Sequence, residues 1–460
     1  MVAGAPQRPA LIIGDEVITF EALGAGIASV SNALAGTGAK PGDRVMLVDE
    51  SSLLFLSTVL GAARIGAAAA PMNHRLTAPE LRELSATSAC THAVAGDAFV
   101  GLVGDAIGRS PVPPSIALGW GDAPPDPAPV AEDDAALILF TSGTTGLPKA
   151  VPLSHGDLVP RVALFSSTFD PGAEPGRALC CVPVVHVGGL VGILVALAAG
   201  TTTVVQPRFD EAEWLRLVER HRIQRTFLVP AMLRRILDHP AFTTTDLSSL
   251  RSIAYGAAPA PRDLVRRAVE AMPGVDFSNV YGQTETLGAV TVLGPDDHRD
   301  PRRVGSIGRV MPGIEWRLAD DGEFQVRQHG EWHGTGDVVR VDDDGYLWAQ
   351  DRLSDTINRG GEKLGPIEVE TVLREHPAVA DAAVAGVPDE VLGERVGAAV
   401  VVNGEVDLRE LDAWCRERLA RWKVPERIVV VDAIPYTDLG KVRRSAIAGL
   451  VAADGETSVT

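Results

Sequence analysis

The chain has 460 residues, 46% hydrophobic and 22% charged, enough for a large domain plus a smaller one, with no biased block arguing for disorder or a repeat array. A formal charge of −18 gives no general footprint for a polyanion and argues against nucleic acid. The four cysteines, Cys90, Cys180, Cys181 and Cys415, lack CxxC or CxxH spacing, which argues against a zinc site or a disulfide framework, and the N-terminus lacks a secretory signal, so a cytoplasmic location is expected.

Short apolar runs alternate with amphipathic stretches through the first three quarters, which predicts an α/β architecture. RVMLVD (44 to 49) reads as a strand before a helix near 53 to 66. The apolar run from Leu53 to Met72 is broken by Arg64 and rich in Ala and Gly, so it predicts a helix packed closely in a soluble core and no membrane span. The Pro-rich stretch 110 to 130 cannot hold a regular ladder and is expected to connect two subdomains of the large domain. Immediately after it, AALILF (135 to 140) reads as a buried strand that delivers the chain into TSGTTGLPK (141 to 149). Beyond about 355 a helix (366 to 375), strands (379 to 386 and 395 to 402), a helix (408 to 421), a strand (427 to 432) and a last helix from about 443 outline a separate α+β unit. The charged segment QDRLSD (350 to 355) is the candidate boundary.

The strongest local signal is the loop itself. Thr141, Ser142, Gly143, Thr144, Thr145 and Gly146 offer four hydroxyls and two glycines in six residues, so backbone N–H and side-chain O–H groups can converge on phosphate oxygens, with Lys149 adding a cation. The plain alternative is a flexible Ser/Gly/Thr turn. It is not a Walker A loop, because Pro148 precedes the lysine and Ala150 follows it.

With this loop, and with GAAP (256 to 259), YGQTE (281 to 285), TGD (335 to 337), DRLSDTINRGGEK (351 to 363) and PYTDLGK (435 to 441) in that order, the chain resembles the acyl-adenylate-forming superfamily. That superfamily contains acyl-CoA synthetases, luciferases and nonribosomal peptide synthetase adenylation domains. The resemblance spans nearly the whole chain and is greatest to freestanding acyl-CoA synthetases. It implies a large multi-subdomain α/β domain (1 to 351) that binds ATP and acid, a hinge (352 to 354) at Ser354, and a small mobile α+β domain (355 to 460).

The implied chemistry activates a small carboxylic acid as acyl-AMP with release of pyrophosphate, then transfers the acyl group to coenzyme A. ATP and Mg²⁺ would be required. Glu285 would be the metal ligand, Thr284 would donate to the α-phosphate, and Tyr281, Gly282 and Gln283 would border the adenine, with Gly256, Ala257 and Ala258 letting backbone approach the purine edge. Asp337 would accept from the ribose hydroxyls, with Arg352 reaching the same sugar. Lys441 would meet charge building on the α-phosphoryl oxygens. Val185, His186, Gly188 and Gly189 would lie at the junction of acyl pocket and thiol tunnel, and Gly360, Gly361, Glu362 and Lys363 along the pantetheine path. A core histidine is the plain alternative for His186. A surface ion pair is the alternative for Asp337 and Arg352.

The chain departs from the family pattern at three places. Ser354 stands where relatives carry Asp or Lys at the pivot, only Gln328 to Gly334 separates GEFQVR from TGD, and Val185 replaces a frequent aromatic residue. VPVVHVGGL contains no Asp or Arg to pair with a second charge on the substrate, which points to an apolar or aromatic monocarboxylic acid. The rival readings are an enzyme that stops at acyl-AMP and delivers it to a carrier protein or separate transferase, and a catalytically silent nucleotide binder.

Overall fold

A computed structural model describes residues 6–118, 123, 125–141, 148–169, 176–352, 355–360, 362–437 and 440–453. The architecture is mixed α/β, with a large N-terminal part and a small C-terminal part. In the first sheet the strand order is His92–Ala95, Arg44–Val48, Ala68–Pro71, Ala135–Thr141, Lys149–Ser154, parallel except for the last, antiparallel pair. Its central strands are buried on both faces, which is why Val45, Met46, Leu47 and Val48 form an unbroken apolar run.

The helix Leu53–Arg64 starts at Ser52, whose hydroxyl accepts from Phe55 N at 3.0 Å, and packs along Phe20–Gly36 in the core. The membrane-like run thus divides into this helix and the buried strand Ala68–Pro71. No helix among the described residues is long and apolar enough to cross a membrane.

The Pro-rich stretch is a correction to the sequence reading. The chain leaves the first sheet near Ala95 and re-enters the same sheet at Ala135, so the segment does not link two subdomains. It lies instead against the first core: Val112 bridges Val94, Arg64 Nε donates to Pro125 O at 3.0 Å, and Ala128 N donates to Arg64 O at 2.9 Å. Prolines remove ladder donors, but their carbonyls still accept.

The second sheet has nine strands, and in it the parallel strands Arg225–Leu228, Ser252–Gly256 and Asp276–Gln283 run side by side. Asp276–Gln283 turns back on Gly288–Leu293. The carboxyl ends of parallel strands are where open α/β sheets expose crevices, and here those ends carry the 256–258 and 281–285 segments. A four-stranded antiparallel sheet (Trp316–Leu318, Glu323–Gln328, Glu331–Val341, Leu347–Arg352) follows. A five-stranded sheet then opens at Ile357–Arg359 and is flanked by the helices Pro366–Arg374, Leu408–Arg418 and Arg444–Ala453.

Candidate active site

Ala135–Thr141 and Lys149–Ser154 pair so that Thr141 faces Lys149 across the base of the intervening loop. Ser142, Gly143, Thr144, Thr145 and Gly146 lie outside the described residues, as do Ser354 and Gly361. Lys149 is exposed. The Thr141 hydroxyl donates to Glu285 Oε1 at 3.3 Å, joining the loop's first residue to the 281–285 segment across 144 positions of sequence.

Backbone contact explains the small residues. A Cβ at Gly256 would stand 2.1 Å from the carbonyl oxygen of Val280, and one at Gly282 would stand 1.8 Å from that of Gly288. Neither site admits a side chain: the main chain of Val280 closes on Gly256, and that of Gly288 closes on Gly282. Ala257 holds φ 67°, a left-handed conformation that costs a non-glycine residue about 1 kcal/mol and is over-determined by its surroundings. Thr284 is half-exposed, and its carbonyl accepts from Leu287 N at 3.0 Å.

Asp337 is buried, and it collects polar groups from the strand Asp276–Gln283 of the second sheet. Tyr281 Oη donates to its Oδ2 at 2.6 Å and Gln283 Nε2 donates to the same oxygen at 3.0 Å. The Gln283 amide also donates to Thr335 O at 2.6 Å. Asp337 and Arg352 are cross-strand partners in the four-stranded sheet, which places both backbones at one edge of the crevice.

The shortened segment 328 to 334 closes as a tight hairpin. His329 and Gly330 hold φ values of 48° and 79°, the two positive angles of a type I′ turn, between the paired residues Gln328 and Glu331. The turn reaches the crevice: Gln328 Nε2 donates to Glu285 O at 2.9 Å, and His329 Nε2 lies 3.1 Å from Asp157 Oδ2. Gln328 and Glu323, which takes Gly336 N at 2.9 Å, support the site but are missed by motif reading, because each bonds a backbone group distant in sequence.

His186 is the N-cap of the helix Val187–Ala198 without using its side chain for the cap, and Val185 before it is half-buried. Gly188 faces Phe227, whose Cε1 would be 3.5 Å from an added Cβ, and Gly189 packs against the Pro183 carbonyl. Lys441 follows Gly440 in a turn held by Gly440 N to Thr437 O (2.8 Å), Thr437 N to Lys441 O (2.8 Å) and Lys441 N to Thr437 Oγ1 (3.1 Å). A Cβ at Gly440 would lie 3.5 Å from Val229 Cγ2 and 3.6 Å from Ala231 Cβ, so this turn abuts the start of the large part's helix Pro230–Asp238. Gly360 holds φ 61° and donates its N–H to Leu392 O at 2.8 Å, with exposed Glu362 and the backbone of Lys363 on the following strand.

The structure therefore brings Thr141 onto Glu285, and Tyr281 and Gln283 onto Asp337, by direct contact. It places His186, Lys441 and the Gly360 turn on separate elements.

The chain is similar to known proteins over nearly its whole length. A family profile described as AMP-binding enzyme matches residues 1–339, and one described as AMP-binding enzyme C-terminal domain matches residues 368–441. A feruloyl-CoA synthase of Amycolatopsis sp is 34% identical, covering 96% of each chain. An indoleacetate–CoA ligase of Aromatoleum aromaticum is 33% identical, covering 97% of this chain and 96% of the relative. Among solved structures, o-succinylbenzoate CoA synthetase of Bacillus subtilis with its acyl-adenylate intermediate superposes with a TM-score of 0.84 at 28% identity, covering 96% of this chain and 95% of that one. An amide bond synthetase of Marinactinospora thermotolerans gives a TM-score of 0.87 at 29% identity, covering 96% of each chain.

Proposed function

We infer the reaction from one premise: this chain belongs to the AMP-binding enzyme family. It is an ATP-dependent acyl-CoA ligase acting on a small carboxylic acid. A carboxylate oxygen of the acid attacks the α-phosphorus of ATP, the bond to the β-phosphate oxygen breaks, and acyl-AMP and pyrophosphate result. The sulfur of coenzyme A then attacks the acyl carbon, and the carbon–oxygen bond to AMP breaks.

The roles of individual residues are our proposal, and the observation that carries it is the convergence of Tyr281 and Gln283 on buried Asp337 beside the Thr141–Glu285 contact. Asp337 is acceptor-only and takes the ribose hydroxyls, with Arg352 beside it in register. Tyr281 presents its ring to adenine, against the close-packed backbone of Gly256, Ala257, Ala258 and Gly282. Thr141 to Gly146 and Lys149 hold phosphates, and Thr284 donates to the α-phosphate. Lys441 meets the charge that develops there. His186, Val185, Gly188 and Gly189 line the acyl and thiol junction, and Gly360, Gly361, Glu362 and Lys363 border the pantetheine arm.

Among the described residues no group of three or more His, Cys, Asp or Glu could cage a metal ion. Mg²⁺ is ordinarily bound by one or two carboxylates with substrate phosphates and water, and a single Glu285 placed by Thr141 at the phosphate loop fits that pattern. When bound there, Mg²⁺ would neutralise phosphate charge.

We further propose that residues 1–351 and 355–460 move as two bodies about 352–354. This is supported by the end of the four-stranded sheet at Arg352 and the start of the next sheet at Ile357. The four free cysteines fit a cytoplasmic location. Acid-dependent ATP–pyrophosphate exchange, with acyl-CoA assayed separately, tests the whole reading. Exchange without acyl-CoA would leave the adenylate-only rival standing, and no exchange with any acid would leave the silent binder.

A further inference from the structure

Arg161, on the helix His155–Phe169, is a half-buried guanidinium without an ion-pair partner among the described residues. Its Nη1 donates to Ala289 O at 3.0 Å, and its central carbon lies 5.9 Å from the centroid of the Phe165 ring. Burial disfavours its charge, and the field of Asp157, one helical turn earlier, opposes that effect. The Asp157 carboxylate is engaged elsewhere: it accepts from the Ser154 hydroxyl at 2.7 Å and faces His329 Nε2 at 3.1 Å. Arginine stays protonated at any working pH, so a half-buried guanidinium whose Nη1 bonds a neutral carbonyl is placed to take a charged acceptor as well.

The position of Arg161 says where such an acceptor would come from. Its anchor, Ala289, pairs across the strands with Gly282, so the guanidinium stands directly behind the Tyr281–Glu285 segment. The helix capped by His186 packs on both the Arg161 helix and the strand Gly288–Leu293, and Val187 Cγ2 would be 4.0 Å from a Cβ at Gly288. Three elements therefore surround this region, on the side of the 281–285 segment that carries His186. An acid whose carboxylate sits beside Thr284 would meet Arg161 if its body extended toward these elements.

We propose that Arg161 determines specificity by receiving a second carboxylate at the far end of the acid. The substrate class is then a dicarboxylic acid with an apolar or aromatic body. The inference rests on the ligase reading above and deepens it. One N–H of the planar guanidinium is spent on Ala289, and the remaining donors suit a carboxylate in a two-point arrangement. The absence of Asp and Arg from VPVVHVGGL bears only on that segment, and the cation comes from the neighbouring helix. A methyl-ended acid would leave the guanidinium without a counter-charge, and sites built for a polar partner discriminate strongly against analogues that lack it.

The test uses full-length enzyme and matched acids that share a body and differ at the far end: carboxylate, hydroxyl or methyl. Acyl-AMP is trapped as the hydroxamate. Wild type should activate the carboxylate-ended acid with kcat/KM at least about tenfold above its methyl-ended match. R161M should erase that ratio, and R161K should keep part of it. Ratios within one preparation do not depend on how much of it is folded, so a destabilised variant remains readable. An equal gain from the neutral hydroxyl, a wild-type ratio near one, or a ratio unchanged in R161M overturns the assignment while leaving the ligase reading intact. Failure of every acid to give acyl-AMP overturns the ligase reading itself, and this inference with it.

Discussion

Tyr281 Oη stands 2.6 Å from Oδ2 of Asp337, a residue only 6% exposed. A carboxylate removed from water needs donors, and Tyr281 and Gln283, both on one strand, donate to it here. If Asp337 takes the ribose as proposed, the acceptor is oriented before nucleotide arrives.

Tyr281→Phe keeps the ring and removes only the hydroxyl, so it separates the orienting of Asp337 from contact with adenine. A hydrogen bond to a charged group is worth roughly 1.5–3 kcal/mol, so KM for ATP should rise about tenfold or more with kcat nearly preserved. Asp337→Asn, which exchanges one acceptor oxygen for a donor, should cost more. An unchanged KM for ATP in both variants would remove Asp337 from the nucleotide site.

A second buried pair has a pH signature. His298 Nδ1 lies 2.7 Å from Gly294 O and must donate to it, leaving Nε2 to accept from the Tyr255 hydroxyl at 2.9 Å. Burial is the chief reason that the imidazole titrates below its usual range, with the Gly294 hydrogen bond opposing it. The unfolded chain therefore binds this proton more readily, so the contribution to stability is complete above about pH 6.5 and declines as pH falls toward the folded value. Between pH 7.5 and 5.5 the wild type should lose more thermal stability than His298→Gln. His74 and His221, also held below the usual range by burial, are common to both proteins. Equal losses would show that His298 is not coupled to folding.

Arg444 links the segment after the proposed hinge to the lysine turn. Its Nε lies 2.7 Å from Asp355 Oδ2 and its Nη1 lies 2.6 Å from Glu370 Oε1, a carboxylate 5% exposed. Arg374, Asp381 and Tyr436 extend the same network. Removing one partner of such a buried set costs about 3–5 kcal/mol because it strands a charge. Arg444→Met should lower the stability of the C-terminal part and slow adenylation together, since Lys441 lies between Tyr436 and Arg444. Hydrogen exchange of strand Val379–Asp389 reads the first effect and acyl-AMP formation the second. A variant with wild-type exchange protection would mean that the network adds nothing to folding.

The parts of this site legible in sequence are those in which function lies in a contiguous string at an element's end. AALILF is apolar because both faces of its sheet are covered, and TSGTTGLPK then marks its carboxyl end. The C-terminal elements were legible for a related reason: strands such as Val379–Asp389 and Gly393–Val402 carry long β-branched and alanine runs between clear helix starts. Supporting residues were not legible. Arg161 meets Ala289 across 128 positions and Gln328 meets Glu285 across 43, and both bonds end on main-chain carbonyls, which every residue type offers. The Pro-rich stretch misled because proline forbids a ladder without saying where the chain goes next.

The last prediction concerns Lys441 and separates the two half-reactions. Its turn abuts Val229 and Ala231 through Gly440, so in this structure the small part presents the lysine side of its surface to the large part. Negative charge grows on the α-phosphoryl oxygens only while pyrophosphate is leaving, whereas the thiol step forms its new bond at the acyl carbon. A unit charge about 4 Å away at an effective dielectric near 20 is worth roughly 4 kcal/mol, about three decades in rate, which sets the upper end of the effect. Lys441→Ala should therefore slow single-turnover formation of acyl-AMP by up to about a thousandfold, with ATP affinity little changed. The same variant given synthetic acyl-AMP and coenzyme A should form thioester at close to the wild-type rate. If acyl-AMP formation stays near wild type, the lysine is not the group that meets the α-phosphate. If both half-reactions fall equally, Lys441 acts on the fold of the small part, and the proposal that its two bodies rearrange between steps loses its main support.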